Sequence, residues 1–443
     1  MHQTSPVDSI SSVQGVGYSS GNFGKNILWN SLEFCLLYLL TDVMLVDPAM
    51  AGLVITVSIF WDALLDPILG YVADRTATPI GKYGPFIIFG SPICSALFIA
   101  IFMVPLIRIQ QELTVLIICL LLFRTFYTVV DIPHNALLAR ITHTEEERSR
   151  LAGLRFFFSC LGSLVVAFSL APILSSTSPG GEAANFFKFS IAAGLLSTLF
   201  LIGSWWSVRK IDITLARSRR TQFLPIKALP GIAKSRYFAV LLAAIFVTGL
   251  TTPLFTKMFL YYAKYSLGIA EMSSFGLSVF LMGAAAGSFL WIWGARKLGS
   301  KNALQYSHGL LSIMGGAFFL LDPDNLFIFS GILFLAGLGA AGAYLLIWVL
   351  ASNAVDDVEA LTGNRFEATL FALLILTMKA AIGIGSTVAG LLLKQGGYQA
   401  LESQTQTTEF VIRLAMFGIP AAGSLIIVGI LALPCMKSWR KPS

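Results

Sequence analysis

From Ala49 to Ala73 the chain is mostly apolar, and its only charged residues are two carboxylates, Asp62 and Asp66. About 20 consecutive apolar residues suffice to carry a helix across a bilayer, so this stretch is a predicted span. A carboxylate at mid-membrane costs about 2.5–3.5 kcal/mol on insertion scales, and two in one span demand compensation. Their spacing of four places both on one helical face, about one turn apart. Two stacked acids in a low-dielectric setting repel unless a cation sits between them or one holds a proton. The span is therefore read as a cation-binding helix.

The rest of the chain repeats the apolar pattern. Only 12% of its 443 residues are charged and 56% are hydrophobic, whereas soluble proteins carry about 25% charged residues. The apolar runs are continuous and not alternating, which excludes a transmembrane barrel and predicts a polytopic all-α membrane protein. Twelve spans are predicted, near residues 26–46, 49–74, 84–107, 112–139, 151–174, 186–208, 237–262, 271–295, 301–321, 325–352, 366–394 and 409–435. Lys and Arg crowd alternate loops, roughly 21 on the side of the termini against about three (Arg108, Lys264, Lys394) on the other. Both termini are thus expected in the cytoplasm. The net charge of +7 belongs to these loops, so nucleic acid is not an implied partner.

The largest polar break, 209–236, is a basic linker near anionic headgroups. It separates an N-terminal half, 25–208, from a C-terminal half, 237–436. Residues 1–24, rich in Ser and Gly, are expected to form a mobile cytoplasmic tail, and 437–443 a second tail. Gly70 to Gly81 has a degenerate echo in Gly294 to Lys301, between spans eight and nine. Two related six-helix halves around a midplane site are an architecture of alternating-access transporters. Gly283 to Gly287 and Gly383 to Gly390 are read as close helix packing. The five cysteines (Cys35, Cys94, Cys119, Cys160, Cys435) lie in or at the ends of apolar runs without metal-ligand spacing, and read as small buried hydrophobes.

Polar residues inside spans carry the functional signal. Asn26, Asn30 and Glu33 form one stripe on span one, with Lys25 at its cytoplasmic end as a snorkelling anchor. Glu33 is either a paired structural acid or an additional proton site. On span four, Arg124, Tyr127, Thr128, Asp131, His134 and Asn135 recur at steps that keep them on one side. Asp131 is expected within reach of Asp62 or Asp66; His134 is either a hydrogen-bonded structural residue or a proton site. Arg155 is deep enough in span five to clamp hydroxyls or balance Asp131. Lys379, well inside span eleven, needs a negative partner and is paired with the acids of the first half. No zinc-protease, nucleophile-elbow or phosphate-loop signature is present, so an enzyme is not implied and no resident cofactor is expected. The energy source is then an ion gradient.

Together these residues resemble a known family, the glycoside–pentoside–hexuronide:cation symporters of the major facilitator superfamily. The resemblance is carried by Phe23-Gly24-Lys25, Tyr38 to Asp42, Trp61-Asp62-Ala63 with Asp66-Pro67 and Gly70, then Gly81-Lys82. Further along it is carried by Tyr127 to Pro133, Glu147-Arg148, Arg155-Phe156-Phe157, Asp356, Arg365-Phe366-Glu367 and Lys379. It implies a major facilitator fold of twelve transmembrane helices in two six-helix halves, in a bacterial inner membrane and as a monomer. It implies a coupling cation, proton or sodium, at Asp62, Asp66 and Thr128. The two carboxylates would be metal ligands if that cation is sodium or lithium. The solute, a sugar, glycoside or related polar molecule, would be held by Lys25, Asn26, Tyr127, Asp131, Asn135, Arg155 and Lys379. Some animal relatives move lysolipids, which gives the alternative solute. Asn26 stands where galactoside carriers have an acid, and Asn135 where they have a tryptophan. Leu65 replaces the polar residue expected before the second acid, which removes an oxygen ligand and favours protons or a loose sodium site.

Overall fold

The computed structural model describes residues 10–107, 110–142, 144–175, 180–214, 232, 234–269, 271–321, 325–363 and 367–433. Among them the chain is helical, and the one β-type contact is an isolated bridge between Thr78 and Gly81. Twelve helices follow one another: α1 Ser12–Tyr38, α2 Pro48–Arg75, α3 Gly84–Ile107, α4 Glu112–Ile141, α5 Glu145–Leu174 and α6 Gly181–Thr214. After these come α7 Arg236–Ser266, α8 Met272–Leu298, α9 Ser300–Leu321, α10 Leu326–Thr362, α11 Glu367–Gln395 and α12 Gln406–Leu431. Each predicted span falls on one of them. Ten are long and apolar enough to cross a membrane. The other two, α1 and α9, carry polar stripes, such as Asn26, Asn30 and Glu33 on α1. Single π turns close α1 (Leu39–Val43) and α7 (Tyr262–Ser266) and interrupt α12 (Leu414–Gly418).

The expected mobile tail is corrected by α1, which starts at Ser12. Its start is fixed by a reciprocal capping box. The Ser11 hydroxyl accepts from the Gln14 amide at 3.2 Å, and the Gln14 side chain accepts from the Ser11 amide at 3.1 Å. Tyr18, on the next turns, is completely buried and donates to the His134 carbonyl at 2.8 Å. Residues 1–9 and most of the 209–236 linker lie outside the described residues, as do the tail 437–443, Cys435, Arg365 and Phe366.

The helices gather into two compact units. One runs up to Ser31, from Leu64 to Val166 and from Ser178 to Thr221. Its interior includes Tyr18, Tyr83, Leu137 and Trp205, all nearly or wholly inaccessible. The buried Asp212 ties its loops together, accepting from the Tyr83 and Gly84 amides at the start of α3 and from the Trp205 indole at 3.2 Å. A carboxylate at a helix N-terminus meets both the free amides and the helix dipole there.

The other unit takes Leu32 to Ala63, Ala167 to Thr177 and the chain from Gln222 onward. Its core joins α7, α8, α9, α10, α11 and α12 through residues such as Phe238, Trp291, Leu346 and Leu374. The glycine clusters sit at backbone contacts, as the sequence predicts. A Cβ on Gly337 of α10 would stand 1.9 Å from the Phe280 carbonyl, and one on Gly283 of α8 2.0 Å from the Phe334 carbonyl. On the α2–α11 crossing, Gly390 meets the Pro48 carbonyl and Gly52 meets that of Ser386. Backbone cannot yield as a flexible side chain does, so Gly337→Val is expected to cost at least about 3 kcal/mol, the upper range of core overpacking. Thermal unfolding of the detergent-purified variant checks this; melting together with the wild type would show the crossing to be slack.

Candidate functional site

In the first unit the stripe of α1 meets those of α4 and α5. The Lys25 ammonium donates to Asp131 Oδ1 at 2.6 Å and to Asn135 Oδ1 at 2.8 Å, while Asn135 Nδ2 donates to Asp131 Oδ2 at 2.9 Å. Arg155 donates through Nε to Asn22 at 3.0 Å and through Nη2 to Asn135. Asn26 bridges the Asn22 carbonyl and the Ser159 hydroxyl, both at 2.9 Å. Lys25 is only 4% exposed, so it is an interior charge and not a snorkelling anchor. Of the two roles expected of Arg155, balancing Asp131 falls to Lys25, and Arg155 grips two amide side chains. The arrangement joins a cation, an acid, an amide and a guanidinium in one hydrogen-bonded chain, which is the chemistry that grips hydroxyl groups.

Tyr127 and Thr128 lie on the same side of α4. Tyr127 packs its ring against Trp29, centroids 5.5 Å apart, and the buried Thr128 hydroxyl donates to the Arg124 carbonyl at 3.1 Å. Asp66 is half-buried on α2 in this unit. His134 is completely buried; its Nε2 lies 2.9 Å from the Ser204 hydroxyl and its ring stacks on Tyr18 at 4.9 Å. That is the hydrogen-bonded, structural arrangement.

The second unit holds ion pairs of its own. Asp62 is 1% exposed and carries the Lys379 ammonium at 2.8 Å, the pairing expected from charge balance. Glu33 meets Lys257 at 2.7 Å, both side chains largely buried. Each pair satisfies two charges that neither helix could hold singly in hydrocarbon. On the turn before Asp62, the Thr56 hydroxyl sits 2.5 Å from the Gly383 carbonyl and 2.6 Å from Thr387 Oγ1.

Where α1 ends, Asp42 accepts from Thr41 at 2.9 Å, from Tyr398 at 2.7 Å and from Tyr265, with Lys264 at 3.6 Å. Thr41 is also bonded to Tyr261 at 2.7 Å. Burial, and then the Asp42 charge, push the Tyr398 phenol far above its usual range. In the following turn the hydrogen bond from Lys394 holds the Asp47 carboxyl below its own.

Sequence reasoning passed over Tyr18, Asn22, Trp29 and Ser159. The first two fall within the expected tail, although Tyr18, Asn22 and Asn26 keep a four-residue step that continues the stripe of span one backwards. Among the described residues no group of His, Cys, Asp or Glu is arranged to hold a metal. Cys35 and Cys94 are free and buried, and Cys119 and Cys160 are free and partly buried.

A chain whose described residues are helical, with ten helices long and apolar enough to cross a membrane and ionic side chains paired inside them, has the make-up of a multi-pass membrane protein. Residues 17–434 match the family model described as MFS/sugar transport protein. A putative glycoside/cation symporter, YagG of Escherichia coli (strain K12), is 25% identical over 94% of this chain and 91% of its own. The sodium-dependent lysophosphatidylcholine symporter 1-B of Danio rerio is 26% identical over 94% of this chain and 84% of its own. The crystal structure of the nucleoside transporter NupG superposes with a TM-score of 0.68 at 14% identity, covering 95% of this chain and 99% of that one, and shows the major facilitator fold. The chain belongs to the MFS/sugar transport protein family, and it fits the glycoside–pentoside–hexuronide:cation symporters that its sequence resembles.

Proposed function

We propose that this protein is a cation-coupled symporter that carries a sugar, glycoside or related polar solute by alternating access, its two six-helix halves (25–208 and 237–436) moving about the solute. The observation that carries the reading is the Lys379 ammonium seated 2.8 Å from a carboxylate buried in a span. A membrane carboxylate that already holds a cationic group in one state offers a place for a mobile cation in another. The coupling cation, proton or sodium, binds at Asp62, with Asp66 and Thr128 as the other oxygens. The solute is held by Lys25, Asn26, Tyr127, Asp131, Asn135 and Arg155, and Lys379 responds to both ligands. Each ligand then raises the affinity for the other by the same factor. Glu33 and His134 serve as structural partners of Lys257 and Ser204, and not as proton sites. Both termini face the cytoplasm of a bacterial cell, and a monomer performs the cycle.

The sodium-dependent lysophosphatidylcholine symporter among the relatives supports a second reading, with a lysolipid as solute. Purified protein in liposomes separates them. With an imposed sodium or proton gradient, radiolabelled monosaccharides and methyl glycosides should accumulate above the equilibrium level, and dissipating the gradient should abolish it. Accumulation of lysophosphatidylcholine alone would favour the second reading. Equal uptake with and without any gradient would exclude coupled transport.

A further inference from the structure

The α2–α11 crossing carries a polar contact of its own beside the Asp62–Lys379 pair. Thr56, buried on α2, has its hydroxyl 2.9 Å from the Gly52 carbonyl of the same helix. Across the crossing it stands 2.5 Å from the Gly383 carbonyl and 2.6 Å from the Thr387 hydroxyl of α11. A hydroxyl has a single hydrogen to donate. Thr387 can donate to Thr56, and the two carbonyls then compete for the hydrogen of Thr56.

This competition makes the contact reversible. If α11 draws back, Thr56 still donates to Gly52, the carbonyl one turn earlier that threonine uses within a helix. Thr387 stands one turn after Gly383 and has the same recourse on α11. Parting therefore strands no polar group, and loses only the small net contribution of a satisfied hydrogen bond. The neighbouring contacts are of another kind, with Gly52 against the Ser386 carbonyl and Gly390 against that of Pro48. Small residues let two backbones approach closely, whereas a hydroxyl bonded to a carbonyl also fixes how far one helix slides along the other.

Residues 48, 52 and 56 of α2 meet 390, 386 and 383 of α11 in reverse order, so the helices run antiparallel here. Asp62 and Lys379 continue that order. Asp62 lies about 9 Å along α2 from Thr56, and Lys379 about 6 Å along α11 from Gly383, at the rise of a helix. A four-carbon side chain spans the difference, and the ammonium stands 2.8 Å from Asp62 Oδ2. We infer that Thr56 is a positioning residue: with Thr387 it forms a reversible hydroxyl clasp that sets the register of α11 on α2, and so seats Lys379 on Asp62 or withdraws it. With the clasp closed, Lys379 takes the place of the coupling cation; with it open, the ion does. The inference rests on the transport reading above and adds to it the element that times this exchange.

The apparent ion affinity is then the intrinsic one reduced by the fraction of protein whose clasp is open. Thr56→Val keeps the shape of the side chain and removes the hydroxyl, so it raises that fraction. Ion binding to the full-length protein in detergent is read by tryptophan fluorescence, since Trp61 adjoins Asp62. The signal used is the component missing from Asp62→Asn/Lys379→Gln. Two probes are titrated: sodium against choline at fixed pH, and protons in the absence of sodium. In the probe to which the wild type responds, Thr56→Val should need about fivefold less sodium, or titrate about 0.7 pH unit higher, the effect of one net hydrogen bond. In the second case the titrating group is Asp62, faced by Lys379 from α11 and followed one turn along α2 by Asp66.

Thr387→Val should repeat the shift and replaces the first variant if that does not fold. Thr56→Ser, which retains the hydroxyl, should bind as the wild type does. In a Lys379→Gln background Thr56→Val should change nothing, whereas a mere packing defect would act there too. Unchanged or weakened ion affinity in the valine variants overturns the clasp and leaves the cation site at Asp62 standing. So does a shift that persists without Lys379. A wild type in which neither ion gives an Asp62-dependent signal removes the coupled-transport reading, and the clasp with it.

Discussion

Asp62→Asn is expected to abolish gradient-driven accumulation, lowering the steady-state level at least about a hundredfold. The scale follows from the 2.5–3.5 kcal/mol that a charge costs within a span, which is about two decades in a binding constant. An amide of the same shape retains oxygen for a weak contact, but no longer draws a cation into hydrocarbon. It also leaves Lys379 without the carboxylate that now stands 2.8 Å away. Breaking a buried ion pair from one side costs about 3–5 kcal/mol, so the single variant should also melt early. The double variant Asp62→Asn/Lys379→Gln separates the two effects. It should regain thermal stability and remain unable to concentrate solute. Uphill uptake by the purified Asp62→Asn protein in liposomes would remove the basis of the proposed coupling.

Glu33→Gln is expected to act on stability alone, and strongly. It leaves Lys257, 2% exposed, without its ionic partner at 2.7 Å, which costs about 3–5 kcal/mol. Replacing both partners by neutral side chains of similar volume, as in Glu33→Gln/Lys257→Met, is often neutral or stabilising, so the double variant should melt near the wild type. Thermal unfolding of the three proteins in one detergent gives the comparison. If Glu33 instead takes up the coupling proton, Glu33→Gln keeps its melting temperature and loses the pH dependence of uptake.

Both expectations depend on pairings that the linear sequence reveals unevenly. The spans themselves are legible, because the length of an apolar run is a local property. Lys379 also finds its acid by simple reasoning, since a cation that deep demands a counter-charge and Asp62 is among the few on offer. Partner choice elsewhere depends on helix rotation and on which stripes face each other. Arg155 is therefore a reasonable candidate for Asp131, yet Lys25 holds it, and Arg155 reaches past to Asn22 and Asn135. The start of α1 is hidden by composition, because Ser and Gly read as tail. The signal that was present is Ser11 followed three residues later by Gln14. Trp29 is hidden for a different reason: an aromatic residue in an apolar run gives no hint of a buried guanidinium on α4.

The carboxylate at the close of α1 bears on how such a carrier flexes. Asp42 is grasped at once by the end of α7, through Tyr265 and Lys264, and by Tyr398 just beyond α11. Prising any one of these arms away would cost the buried carboxylate one of its partners. The three helix ends therefore form a common knuckle, and bending during the cycle must be sought farther along their shafts.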